Sequence, residues 1–211
     1  MLNKVLGNED RIKYEKLIKR MGELSPEMVN RKIPESMVQQ AFMLETVGKE
    51  IEMGHGSSIL CVGSFEDTAY DCLTRQGIVV TAIDPDINMD LHTFMDSDYR
   101  NKRLFDIVFS TSVIEHVEND QQFVKDICDL LVVGGLGVLT CDFNNGYKIG
   151  DKLPYSDLRF YTEADLWVRL RLTIETSGCE LVDEPNWVGE PDFTHDGCDY
   201  SFATLVFRKV K

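Results

Sequence analysis
Glu115 and His116 stand side by side in this 211-residue chain, just after the apolar run FDIVF and the polar link Ser110-Thr111-Ser112. An imidazole titrates near neutrality, so His116 can take a proton from an acceptor group during a transfer reaction. The alternative is that Glu115-His116 caps a helix beginning near Asn119 or stacks on a ligand. Asp142 follows a second run, GVLTC, and can serve as another base or hold an acceptor hydroxyl. Asp84-Pro85 closes a third run, IVVTAI; a carboxylate there accepts from both hydroxyls of a diol, or else simply opens a turn. Gly63-Ser64-Phe65-Glu66-Asp67 follows a fourth, SILCV. The glycine frees the backbone for close approach, while Ser64 and Asp67 are residues that cap a following helix. Six cysteines (61, 72, 128, 141, 179 and 198) form no C-x-x-C pair and no short His/Cys cluster. They are expected as reduced, mostly buried thiols, with no structural zinc site.

These groups converge only if the runs are strands of one sheet. Residues 58–62, 78–83, 105–109, 137–141, 179–183 and 201–207 read as strands. Helices are expected over 68–75 before Gly77, around Phe123–Leu131 before Gly134-Gly135, and over 162–177 before Gly178. Alternation of this kind predicts an α/β fold: a doubly wound, mostly parallel, Rossmann-like sheet with an antiparallel last strand. Only about twenty residues separate Asp84 from Phe105, too few for a helix, a third strand and a crossover. That segment should be shortened, with the helix reduced to a turn and residues 89–94 forming a short edge segment. Upstream, Ile12, Leu17, Ile18 and Met21 predict an amphipathic helix with a basic face. A second helix should start near Pro34 and end at Gly54-His55-Gly56. Residues 1–56 are thus read as a helical lead-in and 57–211 as the main domain. In such sheets ligands bind beyond the carboxyl ends of the strands.

Taken in order, SSILCVG, TAIDP, FDIVFSTSVIEHVEND and LLVVGGLGVLTCDF resemble the class I S-adenosylmethionine-dependent methyltransferases. The specific part is Val113-Ile114-Glu115-His116-Val117 with the later Gly134-Gly135. A looser likeness continues through Arg159-Phe160-Tyr161-Thr162, similar to a stretch in methyltransferases of sugar and antibiotic pathways. The resemblance implies S-adenosylmethionine as cofactor and methyl transfer (EC 2.1.1 type), most simply O-methylation of a sugar, glycan or other small polyhydroxylated acceptor. It also implies cofactor contacts at Gly63, Ser64, Glu66, Asp67, Asp84, Pro85, Asp90, Leu91, Ser110 and Thr111, with His116 and Asp142 catalytic. The family's acid in the first strand is replaced by Cys61, and the glycines after Gly63 are lost. Glu66 or Asp67 is therefore expected to meet the cofactor's ammonium, the competing role for Asp67 being a helix cap. The Glu-x-x-Glu-His metal set of ubiquinone-type O-methyltransferases is incomplete, because Ser112 stands at its first position; no metal is expected.

The acceptor is expected against Tyr147, Arg159 and Tyr161, after the fifth strand, and against Trp187 and His195 in the 185–200 loop. Rings pack on C–H faces while carboxylates accept hydroxyl protons. The formal charge is −14, and residues 1–52 contribute none of it, with nine basic and nine acidic residues. The remainder carries 13 basic and 27 acidic residues. A nucleic-acid partner is disfavoured, since phosphate backbones need a basic face. Arg11 to Arg20 with Arg31-Lys32 is the one place an anionic acceptor could dock. No window approaches roughly 18 uninterrupted apolar residues, so no membrane span is expected. With no signal pattern and reduced thiols, the setting is expected to be cytoplasmic. Two other readings share this plan. One is a catalytically reduced domain that binds cofactor weakly or serves as an interaction module. The other is a nicotinamide-dependent oxidoreductase, for which G-x-G-x-x-G is missing.

Overall fold
The N-terminal quarter folds into β1 (Val5–Leu6), α1 (Asn8–Leu24), α2 (Pro26–Val29) and α3 (Met37–Glu52). Asp10 reaches back from the first turn of α1 to accept from the Gly7 N–H at 3.2 Å. Pro34 opens a 3₁₀ turn, Pro34–Ser36, that leads into α3, as its fixed φ suits a helix start. The chain then alternates: β2 (Ile59–Val62), α4 (Thr68–Arg75), β3 (Thr81–Ile83), α5 (Leu91–Asp96), β4 (Phe105–Thr111), α6 (Asp120–Leu130) and β5 (Leu131–Phe143). A π-helical stretch, Asp165–Leu170, runs into α7 (Arg171–Thr176), followed by β6 (Cys179–Leu181), β7 (Phe193–His195) and β8 (Cys198–Lys209). This is a computed structural model, and it describes residues 1–97 and 104–211.

The main sheet has the order β1-β8-β5-β4-β2-β3, with β6 and β7 also paired to β8. β3, β2, β4 and β5 are parallel, and β8 runs antiparallel to β5 over Leu136↔Arg208 to Phe143↔Ser201. On one face α5, α6 and α7 bury Phe94, Phe123, Ile127 and Ile174 against Leu60, Val108 and Leu205. On the other, α1, α3 and α4 bury Tyr14, Phe42, Val47 and Cys72 against Cys61, Phe109 and Val138. The lead-in helices are therefore one layer of a three-layer α/β fold and share its core.

Several expectations are corrected. Residues 89–94 are not an edge strand: Asp90 caps α5, and Leu91, Phe94 and Met95 recur at helical spacing and are buried. Gly134-Gly135 do not end α6, which stops at Leu130. They lie within β5, where the register against β4 jumps from Phe105↔Leu131 to Ile107↔Leu136. The 162–177 helix is α-helical only in part, and β1 and β7 were not foreseen. Among the described residues, no helix is long and apolar enough to cross a membrane.

Candidate functional site
Strand ends on one rim of the sheet open onto two cavities. Consecutive residues, Val113 and Ser112, face one each, so the backbone leaving β4 is a shared wall. The first cavity has a volume of about 370 Å³. Val62, Ile83, Leu91 and Phe123 give it apolar sides, while Asp84, Asp90 and Asn119 supply polar edges. Gly63 sits at the lip with φ +83°, and a Cβ there would lie 2.3 Å from Val113 Cγ2. A side chain at that position would have to displace Val113.

Asp84 is 7% exposed. Its Oδ2 accepts from the Phe65 N–H at 2.9 Å and its Oδ1 from the Asp86 N–H at 2.9 Å. The acid thus ties the two loops together, and each oxygen keeps a lone pair toward the cavity it lines. Pro85, Asp90 and Leu91 line the same space. Asp90 accepts from the Thr93 N–H at 2.7 Å, and that bond holds its carboxyl below the usual range.

Other expected contacts fall elsewhere. Asp67 caps α4, accepting from the Tyr70 N–H at 2.6 Å. Burial pushes its carboxyl up, against the bond from the Tyr70 N–H. Asp67 and Ser64 are both buried and line neither cavity. Ser110 donates its hydroxyl to Val62 O at 2.8 Å, lacing β4 to β2, and Thr111 is likewise turned inward. Glu66 lines the second cavity and pairs with Lys32 at 3.8 Å. Phe65 remains partly exposed, with the Arg31 guanidinium 5.9 Å from its ring centre.

The second cavity, about 260 Å³, brings His116, Asp142 and His195 together with Glu115, Asp157 and Tyr200. Ser112 turns the chain out of β4 at φ +49°, a conformation rare for a side-chain-bearing residue and concentrated at functional sites. Its hydroxyl lies 2.8 Å from Gln39 Oε1 and 3.2 Å from Asp142 Oδ1. Thr140 donates to the same Gln39 oxygen at 2.6 Å, so α3 is wired into the floor of the site. His116 Nδ1 lies 3.3 Å from Asp157 Oδ1 and 3.2 Å from Ser156 O, which makes it the donor and leaves Nε2 free to accept.

Besides Glu66, which pairs with Lys32, three buried carboxyls share this space with His116, His195 and Arg31. Burial pushes Glu115 up to about 7. Asp142 is pushed well above its ordinary value, by burial first and then by the charges of Glu115 and Asp157. Burial raises Asp157 to about 6, with His116 and His195 opposing the rise. Glu115 Oε2 and Asp157 Oδ2 are both buried and have no hydrogen-bond partner. Burial and the nearby Asp142 push the Tyr200 phenol up as well.

Four expected acceptor contacts belong to the scaffold instead. Trp187 is fully buried, its indole N–H bonded to Thr204 O at 2.9 Å and its ring edge-on to Trp167. Tyr161 is fully buried and donates to Asp120 Oδ2 at 3.0 Å. Arg159 pairs with Asp120 at 2.9 Å, and Arg169 binds the same carboxylate. Tyr147 packs edge-on against Phe160. The polar tips of Trp187, Tyr161 and Arg159 found nearby partners that sequence spacing could not reveal. Conversely, Gln39 and Asp157 belong to the cavity and were given no role above, and Glu115 lines it beside His116. The one available signal was Gln39-Gln40, two adjacent amides inside an otherwise apolar helix stripe. Gln40 Oε1 accepts from the Ala69 N–H at 2.8 Å.

No family model matches the sequence. No curated protein matches it either. Solved structures do. The CcbJ methyltransferase of Streptomyces caelestis superposes with a TM-score of 0.54 at 13% identity, over 85% of this chain and 97% of that one. The 1,6-didemethyltoxoflavin-N1-methyltransferase of Burkholderia thailandensis, solved with 1,6-didemethyltoxoflavin and S-adenosylhomocysteine, gives 0.52 at 16%, over 94% and 90%. The [4+2]-cyclase SpnF gives 0.53 at 16%, over 81% and 82%. The chain has the α/β fold of these proteins, a Rossmann-like fold that carries methyl transfer in two of them and a ring closure in the third.

Proposed function
We propose that this chain is an S-adenosylmethionine-dependent methyltransferase whose acceptor is a hydroxyl of a small polyhydroxylated molecule of sugar or glycan type. The supporting observation is the pair of cavities separated by the backbone at Ser112-Val113, one mostly apolar with an acid at the end of β3, the other lined by carboxyls and two histidines. The first cavity fits the cofactor. Its volume lies within the usual range for small-molecule sites, about 300–1,000 Å³. Leu91, Ile83 and Phe123 offer flat apolar contact to a heterocycle, and Asp84 keeps lone pairs for a ribose diol. Gly63 admits close backbone approach. When bound, S-adenosylmethionine supplies a methyl group on a sulfonium that departs as a neutral thioether.

The chain itself aligns the acceptor and removes its proton. His116 Nε2 accepts the hydroxyl proton, while Asp157 and Ser156 O keep the ring turned with Nδ1 as donor. Asp142 holds the acceptor through a hydrogen bond, and His195 closes the far side. The setting is proposed as cytoplasmic, in keeping with six buried, unpaired thiols. The test is calorimetry of S-adenosylmethionine, S-adenosylhomocysteine and NAD with the purified chain, then labelled methyl transfer onto sugars and nucleotide-sugars. His116→Ala should lower turnover by about 10²–10⁴-fold. Binding of NAD alone, or full turnover in both His116→Ala and Asp142→Ala, overturns this reading.

A further inference from the structure
We propose that the second cavity is built for an acceptor bearing an ammonium group, held by Glu115, Asp142 and Asp157 beside the hydroxyl to be methylated, so that the acceptor class is an amino sugar, aminocyclitol or amino alcohol. This rests on the methyltransferase reading and narrows its acceptor.

Four carboxyls line one small space; Glu66 pairs with Lys32, and of the other three, two present oxygens with no hydrogen-bond partner. Glu115 is 1% exposed and its Oε2 is unpartnered; the Asp157 side chain is 5% exposed and its Oδ2 is unpartnered. A buried acceptor atom without a donor is costly, so its persistence points to a donor that arrives with the ligand. Among the described residues, no lysine or arginine pairs with any of the three; His116 alone does, with Asp157. Arg31 and Lys32 also line the cavity, but Lys32 pairs with Glu66 at 3.8 Å and Arg31 lies 5.9 Å from the Phe65 ring centre, so neither pairs with the three buried acids.

Charge decides between ligand types. A neutral polyol donates hydrogen bonds but leaves the mutual repulsion of the carboxyls untouched. An ammonium donates three hydrogen bonds and brings the opposite charge up to these buried carboxyls. Burial and mutual repulsion already hold Asp142 and Glu115 above their ordinary values, the state an incoming cation relieves.

The experiment uses the full chain saturated with S-adenosylhomocysteine and measures binding of matched probes: glucosamine, N-acetylglucosamine and glucose. Glucosamine should bind at least about tenfold more tightly than the other two. Asp142→Asn and Glu115→Gln should each bring that ratio to within about twofold while S-adenosylhomocysteine binding and the melting temperature stay near wild type. Glu184→Gln, an exposed acid away from both cavities, should leave the ratio intact. Equal binding of glucose and glucosamine overturns the proposal, as does failure of all three to bind. A preference that survives in the Asp142→Asn/Glu115→Gln double variant, or one that Glu184→Gln erases equally, also overturns it. Failure of the underlying methyltransferase reading is separate, because it appears as wild-type protein that does not bind S-adenosylhomocysteine at all.

Discussion

Replacing Gly63 by alanine tests whether the lip between β2 and β3 works as described. The residue has φ +83°, and forcing an L-residue into that left-handed region costs about 1–2 kcal/mol. The new Cβ would lie 2.3 Å from Val113 Cγ2, whereas carbon atoms settle at about 3.5–4.0 Å. Val113 must therefore move by more than about 1 Å into the cavity it lines, and overpacking of this sort adds about 1–3 kcal/mol. The sum, about 2–5 kcal/mol, is smaller than the stability of an ordinary domain, so Gly63→Ala should fold. Its melting temperature should fall by about 5–15 °C in a chain of this size. Affinity for S-adenosylhomocysteine should drop at least about tenfold, equivalent to about 1.4 kcal/mol. Removing the obstructing methyl groups with Val113→Ala should recover the steric part but not the backbone part. A double-mutant cycle read by thermal and urea unfolding should then give a coupling of about 1–3 kcal/mol, with the second substitution cheaper in the presence of the first. Additivity within about 0.5 kcal/mol, or a Gly63→Ala protein that melts and binds like wild type, refutes the reasoning.

The buried carboxyls make stability depend on pH in a defined direction. Glu115 at about 7 and Asp157 at about 6 stay protonated in the fold after their unfolded counterparts have ionised. The fold therefore holds more protons between the unfolded and folded values, and stability should decline as pH rises from about 5 to about 7.5, by an amount on the order of a few kcal/mol. Glu115→Gln should flatten that slope, and an identical slope in both proteins would sink the assignment. Asp120 binds Arg159, Arg169 and the Tyr161 hydroxyl at once, so Asp120→Ala should cost about 2–3 kcal/mol by urea denaturation. Tyr161→Phe should cost roughly 1 kcal/mol without altering acceptor preference; a change of preference would return Tyr161 to the binding surface.

The strand ends were legible because turn chemistry marks them. Gly63, Asp84 and Asp142 each terminate an apolar run, and all three lie at the rim with the cavities. His116 was legible from its motif. Side-chain direction was not. Asp67 and Ser64 share the loop of Gly63 yet turn inward, because the α4 N-terminus offers Asp67 a backbone donor. Trp187 reads as a loop aromatic free to bind a ligand, but β8 places the Thr204 carbonyl where the indole can donate to it. Gln39 comes to Ser112 and Thr140 only through the packing of α3 under the sheet, a contact without local trace. Residues 89–94 were misread because an expected lack of room outweighed the Leu91, Phe94 and Met95 spacing that α5 obeys.

The placement of β8 has a consequence for the order in which the molecule can assemble. β8 lies between β5 and β1, and among the described residues β1 pairs with no other strand. Asn3 Oδ1 accepts from the Val206 N–H across 203 positions of sequence, and Lys4 N–H reaches Thr204. Such distant pairing closes only after the intervening loops have paid their entropy, which slows folding. Asp142 also pairs with Phe202, so the acid of the second cavity acquires its final neighbour only when β8 docks. Emerging from synthesis, β1 must wait until residues 198–209 have been made, and the second cavity takes its shape only with β8 in place.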